Sequence, residues 1–385
     1  MQEYLDKIKY FAKKMERDIK LMEVCGTHTQ VIAENGVKNL LPKNIKLISG
    51  PGCPVCVTSK ADIDAVVKLA ISGVSIATYG DMIRVRGSTM SLADAREAGA
   101  FVKEIYGVEE LFTENRSGQG TRPTQIRNNL SEVRQSRSFR RAGLTLPNIV
   151  FFGIGFETTA PMTASIVKRG IKVYSAHKAF IPAMKALLGT GEITVDGLIS
   201  PGHVAAIVGS KVFSDLKNKN GRGIPQVITG FEVRDVLLGI EMLLRQIVEK
   251  RAETENEYTR VVKPEGNMKA LKLISEVFEV KDSDWRGLGI IKSSGFELRK
   301  EFADMDAKVA YKDIIARINP SHSTGRDTNE KANQRDCLCP EVIKGNIEPG
   351  KCPNFRKKCT PENSQGPCMV SREGACNVAY MEESL

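Results

Sequence analysis

The stretch NIVFFGIGFETTAP, residues 148–161, decides the predicted fold class. Its first part, 148–156, is an uncharged run rich in Ile and Phe, which predicts a buried β-strand. A threonine and then Pro161 predict that a helix starts directly afterwards, because threonine caps helices and proline suits their first turn. A strand that leads straight into a capped helix is typical of an α/β fold with a parallel sheet.

The same alternation of strand and helix extends from this stretch in both directions. Short apolar runs predict further strands at 19–24, 45–49, 74–79, 172–176, 197–200 and 226–229. Helical patterns lie between or beside them at 61–71, 162–168, 182–188 and 233–249. Strands rich in Val and Ile that alternate with helices predict parallel sheets covered on both faces.

Length and composition limit the domain organisation. A chain of 385 residues exceeds the ~250–300 residues over which a single hydrophobic core grows. We therefore predict an α/β protein with two lobes of related topology and a small cysteine-rich domain. The predicted division is an N-terminal helix at 1–20, a first lobe at 21–147, a second lobe at 148–265, a returning helical and strand segment at 266–320 and the cysteine-rich domain at 321–385.

Charge and hydropathy exclude several classes of protein. The formal net charge is +10, and seven arginines but no lysine lie between Thr113 and Gly143. No pattern of interleaved basic and aromatic residues resembles an RNA-reading sheet, so no nucleic acid is expected. No apolar run approaches the ~20 residues of a membrane span, and the N-terminal segment lacks the apolar centre of a signal peptide. We expect a cytoplasmic protein without a membrane partner.

Six of the nine cysteines lie between Cys337 and Cys376. This segment has few large apolar residues, and a reducing compartment disfavours disulfides, so a bound metal would have to supply folding free energy. The wide spacing, without a C-x-x-C pair, favours an iron–sulfur cluster. Structural zinc and uncommitted surface thiols remain the alternatives.

Near the front of the chain, MEVCGTHTQ places Cys25 between a predicted strand and a predicted helix that Thr27 or Thr29 would open. A thiol at a helix N-terminus is expected to have a lowered pKa, because the helix dipole and free N–H groups stabilise the thiolate. His28 could pair with that thiolate or bind the same metal. The alternative is a small buried cysteine next to a capped helix and a hydrogen-bonded histidine.

The sequence GPGCPVC repeats this arrangement, with Cys53 and Cys56 between a strand and a helix whose start Ser59 would cap. A C-x-x-C pair in this position is typical of a redox dithiol in which the first thiol is activated and the second resolves. A tight turn with two buried thiols is the alternative interpretation.

Two more predicted strands end in polar side chains. Glu157 and Thr158 follow the strand at 148–156, and His203 follows the strand at 197–200. Ligands of open α/β sheets bind at the carboxyl ends of the strands. Four strand ends that carry Cys25, the Cys53/Cys56 pair, Glu157 and His203 therefore predict one site in a cleft between the lobes.

Taken together, these motifs resemble the HypD family of hydrogenase maturation proteins. The resemblance is carried by MEVCGTHT, SGPGCPVCVT, YGDM-x-RV, GFETTAP, PGH, ITGFE and a tail of the form C-x₁₄-C-x₆-C-x₁₆-C, met by Cys337, Cys352, Cys359 and Cys376. The motifs follow in order from about residue 23 to 380. Gln30 stands where the family often has a second histidine, and the segment 106–147 does not look like the family.

The resemblance implies a scaffold on which the Fe(CN)₂CO centre of [NiFe]-hydrogenases is assembled, together with a HypC chaperone and with HypE and HypF as the source of cyanide. It implies that Cys25 binds the iron, that the four tail cysteines hold a [4Fe–4S] cluster and that a redox-active Cys53/Cys56 pair serves the site. By the same resemblance, Thr27, His28 and Glu157 line the assembly cleft.

Two cysteines then remain without a role, Cys339 and Cys368. We predict that they form a second dithiol beside the cluster, which relays electrons between the cluster and the Cys53/Cys56 pair. Two other functions stay open at this point: an iron–sulfur thiol–disulfide oxidoreductase that acts on a partner protein, and a zinc-stabilised interaction protein with the arginine-rich segment as its contact surface.

Overall fold

The computed structural model describes residues 1–112, 149–316 and 337–382. The strands in these ranges are β1 Ile19–Glu23, β2 Ile45–Ser49, β3 Ser75–Tyr79, β4 Val102–Ile105, β5 Ile149–Gly153, β6 Lys172–Ser175, β7 Gly197–Pro201, β8 Gln226–Thr229, β9 Thr254–Asn256, β10 Phe278–Trp285 and β11 Gly289–Leu298. The helices in the first part of the chain are α1 Gln2–Ala12, α2 Gly26–Glu34, α3 Val37–Leu40, α4 Pro54–Val57, α5 Lys60–Ile71, α6 Gly80–Ile83 and α7 Leu92–Glu97. Those that follow are α8 Ala160–Lys168, α9 Phe180–Thr190, α10 Gly202–Val208, α11 Val233–Val248, α12 Met268–Val277, α13 Ala307–Ala310, α14 Lys312–Ala316, α15 Cys339–Ile343, α16 Pro367–Val370 and α17 Ala375–Glu382.

The strands form two parallel sheets and one antiparallel hairpin. The first sheet has the strand order β2-β1-β7-β8-β9, and the second has the order β4-β3-β5-β6. Every pair of neighbouring strands in these two sheets is parallel. Strands β10 and β11 pair antiparallel. The predicted α/β class with parallel sheets and a cysteine-rich C-terminal region is confirmed.

The predicted boundary between the lobes at 147/148 is wrong, because each sheet takes strands from both sides of it. In the first sheet β1 pairs with β7, so that Leu21 lies opposite Gly197. In the second sheet β3 pairs with β5, so that Ile76 lies opposite Val150. Hydrophobic periodicity identifies a strand but not its partner, and a parallel connection can cross to another sheet.

The outer parts of the prediction also need correction. The helix expected at 1–20 ends at Ala12, and the first strand begins at Ile19. The segment 266–320 contains α12 and the β10–β11 hairpin as far as it is described. Most of the arginine-rich segment falls within 113–148, outside the described residues, as does the first part of the predicted cysteine-rich domain.

Three clusters of buried side chains hold the sheets. One lies between the first sheet and helices α1 and α11, with Ile8, Leu21 and Ile240 in its interior. Another lies between the second sheet, α8 and the hairpin. The largest cluster combines residues of both sheets with Trp285 and with cysteines of the tail. Burial of apolar surface thus joins the tail to both sheets.

Among the helices that the structure describes, none combines the length and the apolar composition needed to cross a membrane.

Candidate functional site

Three of the predicted motif loops lie side by side at the carboxyl edge of the first sheet. Cys25 follows β1, the GPGCPVC loop follows β2, and His203 follows β7. Strand β1 lies between the other two in the sheet. The backbone N–H of Gly26 donates to the carbonyl oxygen of Gly52 at 3.3 Å, which joins the first two loops. A Cβ atom on Gly52 would lie 2.3 Å from the backbone nitrogen of Cys25. Only glycine permits this close approach.

Cys25 occupies the N-cap position of α2 with an extended backbone, φ −151°. The backbone N–H groups of Thr27 and His28 lie near its sulfur and favour the thiolate. The predicted threonine cap is wrong, because the helix begins at Gly26 and Thr29 instead donates its hydroxyl to the carboxylate of Glu23 at 2.6 Å.

The predicted lowering of the Cys25 pKa is also wrong for the protein without a metal. Burial, together with the carboxylates of Glu373 and Glu23, raises the pKa of this thiol to about 12, although the two amides oppose the change. Loss of hydration and two negative charges together outweigh the helix N-terminus.

The imidazole of His28 faces strand β8. Its Nε2 lies 2.9 Å from the carbonyl oxygen of Gly230 and 2.9 Å from the hydroxyl of Thr229. The ring stacks on Phe231 at 4.7 Å between centroids, and the exposed His203 stacks on the same phenylalanine at 3.7 Å. Burial lowers the pKa of His28 to about 4 and leaves its Nδ1 without a hydrogen-bond partner.

Phe231 therefore joins three of the motifs that the sequence quoted separately. It belongs to ITGFE, while His28 and His203 belong to MEVCGTHT and PGH. Phe231 was not predicted as a site residue, although it stands inside the quoted motif ITGFE.

Glu157 and Thr158 lie at the end of β5, which is a strand of the second sheet. The Oε1 of Glu157 accepts a hydrogen bond from the backbone N–H of Phe180 at 2.9 Å, and its Oε2 is buried without a partner. Burial raises the pKa of Glu157 to about 7. Thr158 is half-buried beside it. Of the four strand ends expected to form one site, three thus share the edge of one sheet, and the fourth belongs to the other sheet.

Cys53 and Cys56 are both buried, and Cys53 caps helix α4. The backbone N–H of Cys56 donates to the sulfur of Cys53 at 3.3 Å. Burial alone would raise the pKa of Cys56, but a hydrogen bond from the thiol of Cys368, the neighbouring Cys53 and the charge of Arg286 lower it to about 5. The pKa of Cys53 is raised by burial and by Cys56. The sequence predicts that the first thiol, Cys53, is the activated one; in the structure the tail places the thiol of Cys368 at the second, Cys56.

The tail cysteines continue this row of sulfur atoms. The thiol of Cys339 donates to the sulfur of Cys368 at 2.9 Å, and Cys368 is also hydrogen-bonded to Cys56 and Cys376. The two cysteines that the sequence left over thus lie together, next to the Cys53/Cys56 pair. The sequence predicts a second dithiol from these two remaining cysteines, and the structure brings their sulfur atoms to 2.9 Å.

The other four tail cysteines lie around one another. Burial raises the pKa of Cys337 to about 12, with further contributions from the nearby Cys352 and Cys359. Cys376 and Cys352 in turn lie near Cys359. The backbone N–H of Gln365 donates to the sulfur of Cys359 at 3.4 Å. Across the described ranges, no group of three or more His, Cys, Asp or Glu side chains has the arrangement that holds a single metal ion.

The tail segment 370–374 rests on both sheets. Towards the first sheet, the hydroxyl of Thr27 donates to the carboxylate of Glu373 at 3.2 Å, and the side chain of Gln30 donates to the carbonyl of Arg372 at 3.1 Å. Towards the second sheet, the carboxylate of Asp81 accepts from the backbone N–H of Arg372 at 3.0 Å. Sequence reasoning missed Asp81 and Glu373, although Asp81 lies in the quoted motif YGDM.

Comparisons with known proteins place the chain in a family. The profile of the family described as "HypD: Hydrogenase formation hypA family" matches residues 1–121 and 141–383. The segment that we expected to differ from the family, 106–147, is therefore too long, and the matched ranges leave out only 122–140 between them.

Individual relatives agree with this result. The chain is 37% identical over 380 residues to the hydrogenase maturation factor HypD of Azotobacter vinelandii, covering 95% of this chain and 89% of the relative. It is 38% identical to the hydrogenase expression/formation protein HupD of Azotobacter chroococcum, covering 94% and 89%. It is 33% identical to the hydrogenase maturation factor HypD of Escherichia coli, covering 95% and 89%. The chain belongs to the HypD family of hydrogenase maturation proteins.

Proposed function

We propose that this chain is a scaffold on which the Fe(CN)₂CO centre of [NiFe]-hydrogenases is assembled, with the iron held by Cys25 and by a HypC-type chaperone, and with HypE and HypF as the source of cyanide. The observation that carries the proposal is the position of Cys25. Cys25 caps helix α2, with two backbone N–H groups of that helix near its sulfur, and its loop is hydrogen-bonded to the loop of the buried Cys53/Cys56 pair.

The surroundings of Cys25 suit ferrous iron before it receives its two cyanide ligands. The carboxylates of Glu23 and Glu373 raise the pKa of the free thiol, but the same negative charges would stabilise an iron cation at its sulfur. A bound cation also favours the thiolate over the thiol. Within this proposal Thr27 holds Glu373 in place, and His28 and His203 fix the neighbouring wall of the site through Phe231.

The tail would hold a [4Fe–4S] cluster through Cys337, Cys352, Cys359 and Cys376. The donor set is entirely thiol, as such clusters require, and an amide of the chain donates to one of the sulfurs. A Cβ atom on Gly366 would lie 3.0 Å from the sulfur of Cys337, so the glycine leaves room beside the ligands. When bound, the cluster would supply one-electron redox chemistry next to Cys376.

The two pairs Cys339/Cys368 and Cys53/Cys56 would then exchange a disulfide. Cys368 is the hydrogen-bonded neighbour of Cys56, and all four thiols are buried. Exchange between adjacent pairs needs only the attack of a thiolate on a neighbouring disulfide sulfur. This row of thiols also favours the second candidate function, an iron–sulfur thiol–disulfide oxidoreductase that acts on a partner protein and does not need Cys25.

The experiment is anaerobic purification of the full chain, co-expressed with a HypC-type chaperone, followed by analysis of iron, sulfide and zinc and by an infrared spectrum. We expect about four irons with matching sulfide, additional iron, and cyanide and carbonyl bands. Cys25→Ala should lose the additional iron and the bands but keep the cluster, whereas Cys352→Ala should lose the cluster.

The outcomes separate the candidates. Cyanide and carbonyl bands that persist in Cys25→Ala would exclude Cys25 as the iron ligand. A cluster without any such bands, combined with disulfide exchange that is unchanged in Cys25→Ala, would favour the oxidoreductase. Zinc without sulfide would contradict both.

A further inference from the structure

A directed chain of hydrogen bonds leads from the dithiol to the protein surface. The thiol of Cys53 donates to the hydroxyl oxygen of Ser371 at 3.4 Å, and this hydroxyl donates to the Oδ2 of Asp81 at 3.3 Å. The backbone N–H of Glu373 also donates to the Ser371 oxygen, at 3.3 Å. Since both other neighbours donate to that oxygen, the hydroxyl hydrogen of Ser371 is directed to Asp81.

We propose that Ser371 and Asp81 form the proton relay of the Cys53/Cys56 pair, carrying the proton of Cys53 between the buried sulfur and solvent. The inference rests on the proposed redox function of the pair and assigns two residues to it. Ser371 touches the reacting sulfur and is 1% exposed, whereas the side chain of Asp81 is 27% exposed. The relay therefore connects an enclosed atom with one that water reaches.

Burial makes such a relay necessary. Cys53 is 6% exposed and Cys56 is 2% exposed, so bulk water does not reach either sulfur freely. Each oxidation of the pair must remove a proton from Cys53, and each reduction must return one. A proton leaves a dry site through groups that both accept and donate hydrogen bonds, and a hydroxyl has this property while a backbone amide has not.

The exchange starts from a disulfide between Cys339 and Cys368 and a reduced Cys53/Cys56 pair. The Cys56 thiolate attacks Cys368, a mixed disulfide forms between these two, and Cys339 leaves as a thiolate. Cys53 then passes its proton to the Ser371 oxygen while Ser371 passes its own to Asp81, and the Cys53 sulfur attacks Cys56. The Cys53–Cys56 disulfide forms, Cys368 leaves as a thiolate, and two electrons have moved to the tail pair. Reversal of these steps returns them.

Charged groups surround the relay on every side. Arg84, on the same helix as Asp81, lies 3.6 Å from its Oδ1, and the backbone N–H of Arg372 donates to its Oδ2. From the tail, Glu373 lies close enough to interact with Asp81 and with Cys53. Arg286 faces Cys56 from the hairpin.

The test follows closure of the Cys53–Cys56 disulfide in the reduced, cluster-containing full chain after rapid mixing with diamide, a small thiol oxidant. Acid quenching and mass spectrometry of the alkylated peptides measure the rate between pH 6 and 8. We expect a rate in the wild type that changes little with pH. Ser371→Ala should close about 10²-fold more slowly, with a rate that rises about tenfold per pH unit as hydroxide replaces the relay.

Matched variants separate proton transfer from packing. Asp81→Asn keeps the acceptor for the Arg372 amide but accepts no proton, so it should be slowed like Ser371→Ala. Ser371→Thr keeps the hydroxyl and should restore the wild-type pH profile. Gln30→Ala removes another hydrogen bond to the segment 370–374 and should close at the wild-type rate.

Closure in Ser371→Ala and Asp81→Asn within twofold of the wild type, with the same pH profile, would overturn the relay. So would an equal loss in Gln30→Ala, which would make the effect one of packing. Failure of the proposed function is read separately, in the wild type: there the Cys53/Cys56 pair would close with diamide but never exchange with the Cys339/Cys368 pair.

Discussion

The carboxyl edges of the two parallel sheets carry different chemistry on the same architecture. The edge of the first sheet carries sulfur and imidazole groups: Cys25, Cys53, Cys56 and His203. The edge of the second sheet carries carboxylates, Asp81 after β3 and Glu157 after β5. The tail segment 370–374 brings one carboxylate of the second edge to a thiol of the first, through Ser371. The site is therefore completed by a third element that contacts both sheets, and not by the strands of one sheet.

Glycines at equivalent strand ends should show the largest difference between the two edges. Gly52 follows β2 and Gly80 follows β3, and a Cβ atom on either would lie too close to a neighbour. On Gly52 the neighbours are backbone atoms of Val24 and Cys25, at 2.4 and 2.3 Å, which cannot move without shifting β1. On Gly80 the neighbour is the end of the exposed Glu104 side chain, which can rotate away.

Gly52→Ala should accordingly lower the free energy of unfolding by about 2–4 kcal/mol, as overpacking against rigid atoms does. Gly80→Ala should change it by less than about 1 kcal/mol, since alanine also suits the first turn of a helix. Urea unfolding of both variants measures the difference. Equal losses of unfolding free energy in the two variants would mean that both edges are packed equally closely, which would contradict the proposed difference between them.

Glu157 provides the next largest effect, through its pKa. Because burial raises the pKa of Glu157 from 4.5 to about 7, the folded protein keeps this proton between those values while the unfolded chain has lost it. Unfolding then releases a proton, so stability falls as pH rises from about 4.5 to 7, by up to about 3 kcal/mol for a shift of this size.

Glu157→Gln should remove this dependence. The glutamine oxygen still accepts from the N–H of Phe180, so the variant should be more stable than the wild type at pH 8 by on the order of 1–3 kcal/mol, and nearly equal to it at pH 5. Thermal unfolding across this pH range measures it, with Glu104→Gln on the exposed surface as the control. A wild type whose stability does not fall above pH 5 would show that the carboxylate has a partner in the folded protein.

The sequence predicted individual strands far better than their assembly. Strand β2 and strand β8 have the predicted bounds, because a short apolar run between breakers depends on local sequence alone. Pairing of β1 with β7 depends on contacts 176 residues apart, such as Leu21 with Gly197, and no local pattern contains them. For the same reason no local pattern shows that Glu157 and Cys25 follow strands of different sheets.

The candidate site shows the same limit. The family resemblance left Cys339 and Cys368 without a role, and from this the sequence suggested the second dithiol. It placed the activated thiol at Cys53, since only the helix N-terminus was visible in the sequence. The thiol of Cys368, which lowers the pKa of Cys56, comes from 312 positions further along the chain. Ser371, which the tail brings to Cys53, escaped prediction in the same way.

The smallest effect is expected at His203, and its pH dependence has the opposite sign to that of Glu157. The exposed ring of His203 stacks on Phe231, with 21° between the planes, so His203→Ala should cost less than about 1 kcal/mol of unfolding free energy at pH 8. Partial burial lowers the pKa of His203 below 6.5, so the folded state binds fewer protons than the unfolded chain near that pH and the wild type loses stability as pH falls. The variant lacks this titration, so the unfolding free energies of wild type and variant should converge towards pH 5.

The control is His203→Phe, which keeps a ring on Phe231 without a titrating group. Its stability should match that of the wild type at pH 8 and exceed it at pH 5. A difference in unfolding free energy between wild type and His203→Ala that stays constant from pH 8 to pH 5 would show that His203 packs equally well in both protonation states. The titration of His203 would then not affect stability, and the contrast with Glu157 on the second sheet would fail.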